Sequence, residues 1–240
     1  MIAVLRRAMS TVLREVVKYL EGILDLLYPR MCLVCRKVPV SDTAYICTRC
    51  NHYFPFSFRN HVKLELALML VCPMGPIYSL MSIDRDSPYM QLVYAVKYHD
   101  MPRLAKFLGE MLGRRIEGKV SADFIVPMPL HPRRKRKRGF NQCTRVAGGI
   151  SAVLHLPVRE GVVRRTRNNP TQTKLNKGER ARNVENLFVV DNPESLAGSR
   201  ILLVEDVLTT GATISSCLKA LNCIPDVVVS VACLARIERV

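Results

Sequence analysis

The sequence predicts an α/β protein, a mostly parallel sheet flanked by helices with a small cysteine-bearing module ahead of it. Three observations lead there. In the second half, short apolar runs alternate with stretches of helical periodicity. One of those runs, ILLVEDVLTTGATI at 201–214, passes from a buried strand through two acids into hydroxyls, a glycine and a helix. Nearer the N-terminus, CLVC at 32–35 and CTRC at 47–50 form paired Cys-x2-Cys knuckles.

Taken in order, Ile2, Leu5, Met9, Leu13, Val16, Leu20, Leu24 and Leu27 follow helical spacing, so residues 1–28 are expected to form an amphipathic helix. Arg6, Arg7, Arg14, Glu15 and Lys18 interrupt any apolar core of a secretory signal. The helix is read as packed on its own protein or a partner, with a membrane surface or a presequence as alternatives. No apolar run approaches the roughly 20 residues of a membrane span. Residues 29–72 are expected to hold the cysteine module and a linker, and residues 73–240 the α/β domain. There PIYSLMSI alternates like a strand, and PYMQLVYAVKYHDMPRLAKFLGEMLGRRI is helical with a break at Pro102. Residues 122–130 read as a strand ending in a proline-rich turn, and 140–154 as a helix. The runs 187–190, 201–204 and 227–234 read as buried strands of the sheet, the last two joined by a helix over 212–221.

Cys32, Cys35, Cys47 and Cys50 have the spacing of a closed tetrahedral zinc site in a small ribbon. The alternatives are four reduced, unligated thiols or two disulfides. With nine cysteines and no export signal, the cytoplasm and free or metal-bound thiols are expected. Cys143, Cys217, Cys223 and Cys233 read as small core residues.

The chain carries 36 Lys and Arg against 20 Asp and Glu. Residues 131–182 hold 15 of those cations against Glu160 and Glu179, so 13 of the 16 net charges lie there. A phosphate-rich partner fits this confinement; a solvated, solubilising face is the plainer reading.

The chemistry concentrates after the strand at 201. Thr209, Thr210, Gly211, Ala212 and Thr213 bring backbone N–H groups and hydroxyls to a helix start, which favours a phosphate monoester. Gly211 allows close backbone approach. Glu205 and Asp206 would repel a phosphate but accept hydrogen bonds from vicinal hydroxyls. A ligand with a phosphate at one end and a cis-diol beside it is a ribose 5-phosphate. Taken singly, the same residues are an N-cap threonine after two exposed acids.

VEDVLTTGAT resembles the phosphoribosyl-diphosphate (PRPP) motif of type I phosphoribosyltransferases. LLDLLYPRMCLVC, VYAVKYHD, VPMPLHPRRKRKRGFNQ, TQTKLNKGERARNV and ILLVEDVLTTGATI, in that order, resemble the ComF (GntX) family. That resemblance implies a zinc ribbon followed by a type I phosphoribosyltransferase-like domain. It implies that Glu205 and Asp206 hold the ribose hydroxyls and that Thr209–Thr213 hold the 5-phosphate. It puts the pyrophosphate loop at Pro129–Arg134, with Arg133 and Arg134 as contacts and Lys97 reaching the diphosphate. It also puts a hood from Thr166 onward, with Arg165, Gln172, Arg180 and Asn183 as candidate contacts. Relatives often carry further paired cysteines, of which only Cys72 remains here, so one zinc is expected. The implied reaction displaces pyrophosphate from C1 of PRPP, with Mg2+ bridging the diphosphate and ribose hydroxyls. A different class is a DNA-uptake factor of natural competence that binds single-stranded DNA or a ComFA-like helicase through the basic run Arg133–Arg138, its pocket used for sensing. The sequence sets neither the acceptor nor the oligomeric state.

Overall fold

The computed structural model describes residues 29–41, 44–57, 62–70, 74–98, 101–131, 136, 139–166 and 187–237. The chain divides into two compact units between Phe54 and Pro55. The helix expected over 1–28 lies outside the described residues.

In the first unit, Met31 and Pro39 form an antiparallel bridge. The Cys32 N–H donates to Val38 O at 2.9 Å and the Val40 N–H to Arg30 O at 2.8 Å. Between them the chain reverses at Arg36, whose φ of 53° is left-handed. Its N–H closes the turn on Cys32 O at 2.9 Å. A short helix, α1 (Thr48–His52), starts at Cys47. Among the described residues of this unit, Val34, Ile46 and Phe54 join Cys32, Cys47 and Cys50 as the buried groups.

The second unit is built on a four-stranded parallel sheet. Its strands are β1 (Met74–Ile83), β2 (Phe124–Pro127), β5 (Arg200–Leu208) and β6 (Val228–Ile237), in the order β1-β6-β5-β2. The strands are near-continuous runs of apolar residues because both faces are covered. Beyond β2, the Ile125 N–H donates to Pro157 O at 2.8 Å and the Arg159 N–H to Ile125 O at 2.9 Å, which prolongs the sheet by one bridge. Helices α2 (Val62–Met69), α3 (Met90–Tyr98), α4 (Pro102–Ile116), α5 (Gln142–Leu154) and α6 (Ala212–Leu221) supply the other layers. Glycines bring α4 and α5 unusually close. A Cβ on Gly109 would stand 2.2 Å from Val146 O, and one on Gly149 would stand 2.1 Å from Lys106 O.

Two expectations need correction. The run at 187–190 is not part of the parallel sheet. Its strand β4 (Phe188–Val190) pairs antiparallel with β3 (Val163–Arg165) in a separate two-stranded ribbon. The pairing is set by chain order, since β3 and β4 flank residues 167–186 and meet as a hairpin's stem. The strand at 201 does not end at Val204 but runs through both acids to Leu208, because β6 continues to pair with it as far as Arg236. Side chains along an extended strand alternate between faces. Glu205 therefore shares the face of Ile201 and Leu203, which pack with Ile214, Cys217 and Leu218 of α6. Asp206 leaves on the other face.

Candidate functional site

The four cysteines of the first unit converge, their sulfurs all within 4.8 Å of one another. Cys35 Sγ and Cys47 Sγ are 3.9 Å apart. A Zn–S bond of about 2.3 Å gives a tetrahedral edge of about 3.8 Å, so this spacing fits zinc. None of the four is in a disulfide. Backbone N–H groups already point at sulfur: Cys47 N–H donates to Cys32 Sγ at 3.3 Å, and Cys50 N–H to Cys47 Sγ at 3.5 Å. Burial alone would raise the Cys32 thiol, but N–H groups from Cys35, Cys47 and Val34 outweigh it and hold it near about 6. Burial and the neighbouring sulfurs push Cys50 up to about 12. Several thiols of unequal acidity in one dry cluster share charge poorly until a dication neutralises them. His52 is exposed and sits outside the cluster.

In the second unit, β5 delivers Glu205 and Asp206 to its carboxyl end, and the chain turns at Thr209–Gly211 into α6. Gly211 is the N-cap with φ 74°, a conformation that disfavours any Cβ. Thr209, Thr210 and Ala212 are exposed, Thr213 is half-buried, and Gly211 is buried. The loop thus offers hydroxyls to solvent while its backbone closes onto the helix.

Both acids are half-buried. Lys97, from the last turn of α3, lies 3.3 Å from Asp206 Oδ1. Burial, then the Asp206 charge, push Glu205 up to about 8, against weaker opposing pulls from Lys97 and Arg165. Beneath the acids lies Cys143, on the first turn of α5. Its thiol is raised well above the ordinary range by burial first and then by Asp206 and Glu205. On β6, Cys233 is register partner to Glu205, and burial followed by the same carboxylate raises its thiol too. Asn141 caps α5, accepting from the Cys143 N–H at 3.1 Å and donating to Met128 O at 3.0 Å, which ties the helix start to the end of β2. Gln142, fully buried, donates to Lys97 O at 3.4 Å and so fixes the end of α3.

Glu205, Asp206, Lys97 and the Thr209–Thr213 loop are brought together around the end of β5, and Arg165 acts on Glu205 from β3. Arg133, Arg134, Gln172, Arg180 and Asn183 lie outside the described residues. Lys97 meets a protein acid, where the sequence suggested only a diphosphate contact. Cys143 and Cys233 read as core cysteines, and they are buried, but both also lie close enough to the acids to feel their charge. The signal was present in the sequence, since Cys143 follows a strand-turn-helix junction as Thr213 does. Cys223 is exposed and is not a core residue, because it falls in the turn after α6. Among the described residues, no carboxylate or histidine cluster of three or more forms, so no cation cage accompanies the acids.

The double zinc ribbon domain matches residues 23–61. The DNA utilization protein YhgH of Escherichia coli (strain K12) is 30% identical over 213 residues, covering 86% of this chain and 90% of that protein. Competence protein ComFC of Bacillus subtilis (strain 168) is 37% identical over 90 residues, covering 38% of this chain and 34% of its own. Among solved structures, adenine phosphoribosyltransferase from Leishmania donovani is similar with a TM-score of 0.38 and 16% identity, covering 72% of this chain and 79% of that one. No described helix is long and apolar enough to cross a membrane. A relative matched along nearly its whole length, a zinc-ribbon module with its four thiols gathered, and a parallel sheet carrying VEDVLTTGAT at a strand end agree, and the chain belongs to the ComF family.

Proposed function

We propose that this chain binds PRPP with Mg2+ at the end of β5 and transfers the phosphoribosyl group to a nitrogen acceptor. The observation that carries this reading is that two consecutive acids near the end of β5 lead directly into the hydroxyl-rich, glycine-capped start of α6. Gly211 and the α6 N–H groups suit the 5-phosphate, with Thr209, Thr210 and Thr213 as hydroxyl donors. The carboxylates suit the ribose diol. Mg2+ would supply charge neutralisation at the diphosphate and arrive with the ligand, since two carboxylates with no third acid or histidine among the described residues make a poor cage but an adequate partner to a substrate-held ion. Lys97 would leave Asp206 for the diphosphate as the diol takes its place. Arg133, Arg134 and the hood residues Arg165, Gln172 and Arg180 would add positive charge as the leaving group departs. In the first unit one zinc is proposed, as a structural ion. Reduced thiols at every described cysteine suit a cytoplasmic setting. The test is pyrophosphate release: with PRPP, Mg2+ and a panel of bases, one acceptor should release it, and release with none would leave binding without turnover.

A second reading is favoured by the names of the relatives, a DNA utilization protein and competence proteins. On it the chain handles single-stranded DNA or docks a helicase, and PRPP serves as a signal. The net charge of +16 supports electrostatic contact with nucleic acid. Retention of labelled oligonucleotide at low salt tests it.

A further inference from the structure

A groove of about 520 Å3 lies between α4 and α5, apart from the acids and the loop after β5. Arg103, Lys106, Thr144, Arg145 and Glu160 are among its lining residues. The sequence singled out neither Arg103 nor Lys106, and Arg145 only as one of the cations of the basic interval 131–182. Their position follows from how the helices bury their apolar sides. Leu104, Ala105 and Leu108 of α4 turn inward, which leaves Arg103 and Lys106 exposed. Cys143, Val146 and Ala147 of α5 are buried, which leaves Arg145 exposed. The close Gly109–Gly149 contact then brings the two cationic faces side by side.

Charge in this groove is not balanced internally. Among the described residues, none of Arg103, Lys106 and Arg145 is paired with a carboxylate. The single acid of the wall, Glu160, accepts from the Thr144 hydroxyl at 3.1 Å. A Cβ added at Gly148 would meet nothing within 4 Å, so the wall is open there.

We propose that this groove binds the phosphate backbone of single-stranded nucleic acid. Three exposed cations spread over two helices suit a repeated anion better than a single shaped metabolite, which is usually held by buried, oriented polar groups. No aromatic side chain lines the groove, so bases are not stacked there and the contact reads phosphates alone. The proposal rests on the nucleic-acid reading above and gives it a location separate from the PRPP site.

The test is fluorescence anisotropy of the full-length protein with a labelled oligothymidylate, titrated between about 50 and 200 mM salt. The triple variant Arg103→Ala, Lys106→Ala, Arg145→Ala is compared with a control that loses equal charge elsewhere, Arg85→Ala, Lys119→Ala, Lys219→Ala. Removing three phosphate contacts should weaken binding at least about 10-fold at low salt and flatten the log-log salt slope by roughly 2. The control should lose much less. A charge-keeping variant, Arg103→Lys with Arg145→Lys, should retain most of the affinity, which separates charge from misfolding. If the parent binds and the triple variant matches its affinity and slope, the groove is not the site, while the nucleic-acid reading survives. If the parent fails to bind at low salt, both fall. If poly-glutamate displaces the probe as well as unlabelled oligonucleotide does, the occupant is an acidic polypeptide and the proposal is overturned.

Discussion

In the cysteine module, four thiols converge with backbone N–H groups already directed at two of their sulfurs. At the end of β5, two half-buried carboxylates share one lysine, and one of them is pushed up to about 8. Both are concentrations of like groups that cost free energy when buried. They differ in completeness. The thiols supply all four ligands of a tetrahedral ion, so binding closes the site and stabilises the fold. Among the described residues no third carboxylate or histidine joins the acids, which border exposed hydroxyls, and Lys97 and Arg165 offset only part of their electrostatic cost. The complete cluster suits a structural ion, and the incomplete one suits the proposed ligand.

The largest effect should come from breaking the complete cluster. Structural zinc contributes about 10–16 kcal/mol of apparent binding free energy in zinc-finger peptides, more than Val34, Ile46 and Phe54 can replace by burial. Cys32→Ala with Cys35→Ala should therefore remove the metal and unfold the first unit, seen as loss of one zinc per chain by metal analysis and early proteolysis there. A metal-free parent with the unit folded would contradict this. Next in size is Gly211→Val. A branched side chain at φ 74° strains the loop and fills the space a phosphate would take, so PRPP binding should disappear in calorimetry. Retained binding would remove the loop from the site.

The incomplete cluster makes a pH-dependent prediction. Glu205 is raised from 4.5 to about 8, chiefly by burial, so the folded state holds its proton more tightly than the unfolded state. Its contribution is therefore neutral below the unfolded value. Between 4.5 and about 8, stability falls as pH rises, and the loss is complete above that window. Glu205→Gln keeps the neutral form at every pH. Its melting temperature should match the parent near pH 5 and exceed it by about 4 °C near pH 8.5, the shift of 1–2 kcal/mol in a domain of this size. Equal melting curves at both pH values would mean the acid is not buried as described. The smallest effect belongs to Lys97→Ala. Its pair with Asp206 is partly solvated, so the loss should be on the order of 1 kcal/mol, about 3 °C, and Lys97→Arg should recover most of it.

Much of this was legible in the residues. The knuckle spacing named the metal ligands because a tetrahedral site demands short, repeated Cys pairs. The helix over 212–221 and the strands beginning near 74, 124 and 201 followed from periodicity and from Gly211. The acids' environment was not legible. A run such as VEDVL shows where charge lies, but whether the strand continues through it depends on β6, which lies far along the chain. The same pairing sends Glu205 toward Cys233. Lys97 could be linked to Asp206 only once Gln142 had fixed the end of α3. The ribbon of β3 and β4 escaped for a similar reason, since Phe188–Val190 is as apolar as a sheet strand and only its partner, three residues at 163–165, reveals the difference.

Asp206→Asn bears on whether Glu205 and Asp206 accept the ribose hydroxyls of PRPP. The substitution keeps size and removes the charge that strengthens each hydroxyl hydrogen bond, worth about 1.5–3 kcal/mol. The measurement is the PRPP dissociation constant with Mg2+, by calorimetry, for the parent and the variant, with thermal shift as a check. At 100 times its dissociation constant, PRPP should add about 2.7 kcal/mol to the parent's stability. The variant should keep its zinc and bind PRPP roughly 10- to 100-fold more weakly. Ribose 5-phosphate should compete for the parent site far better than a phosphate monoester lacking the diol. Equal affinity for PRPP in the parent and Asp206→Asn, or no binding by the parent, would contradict the account.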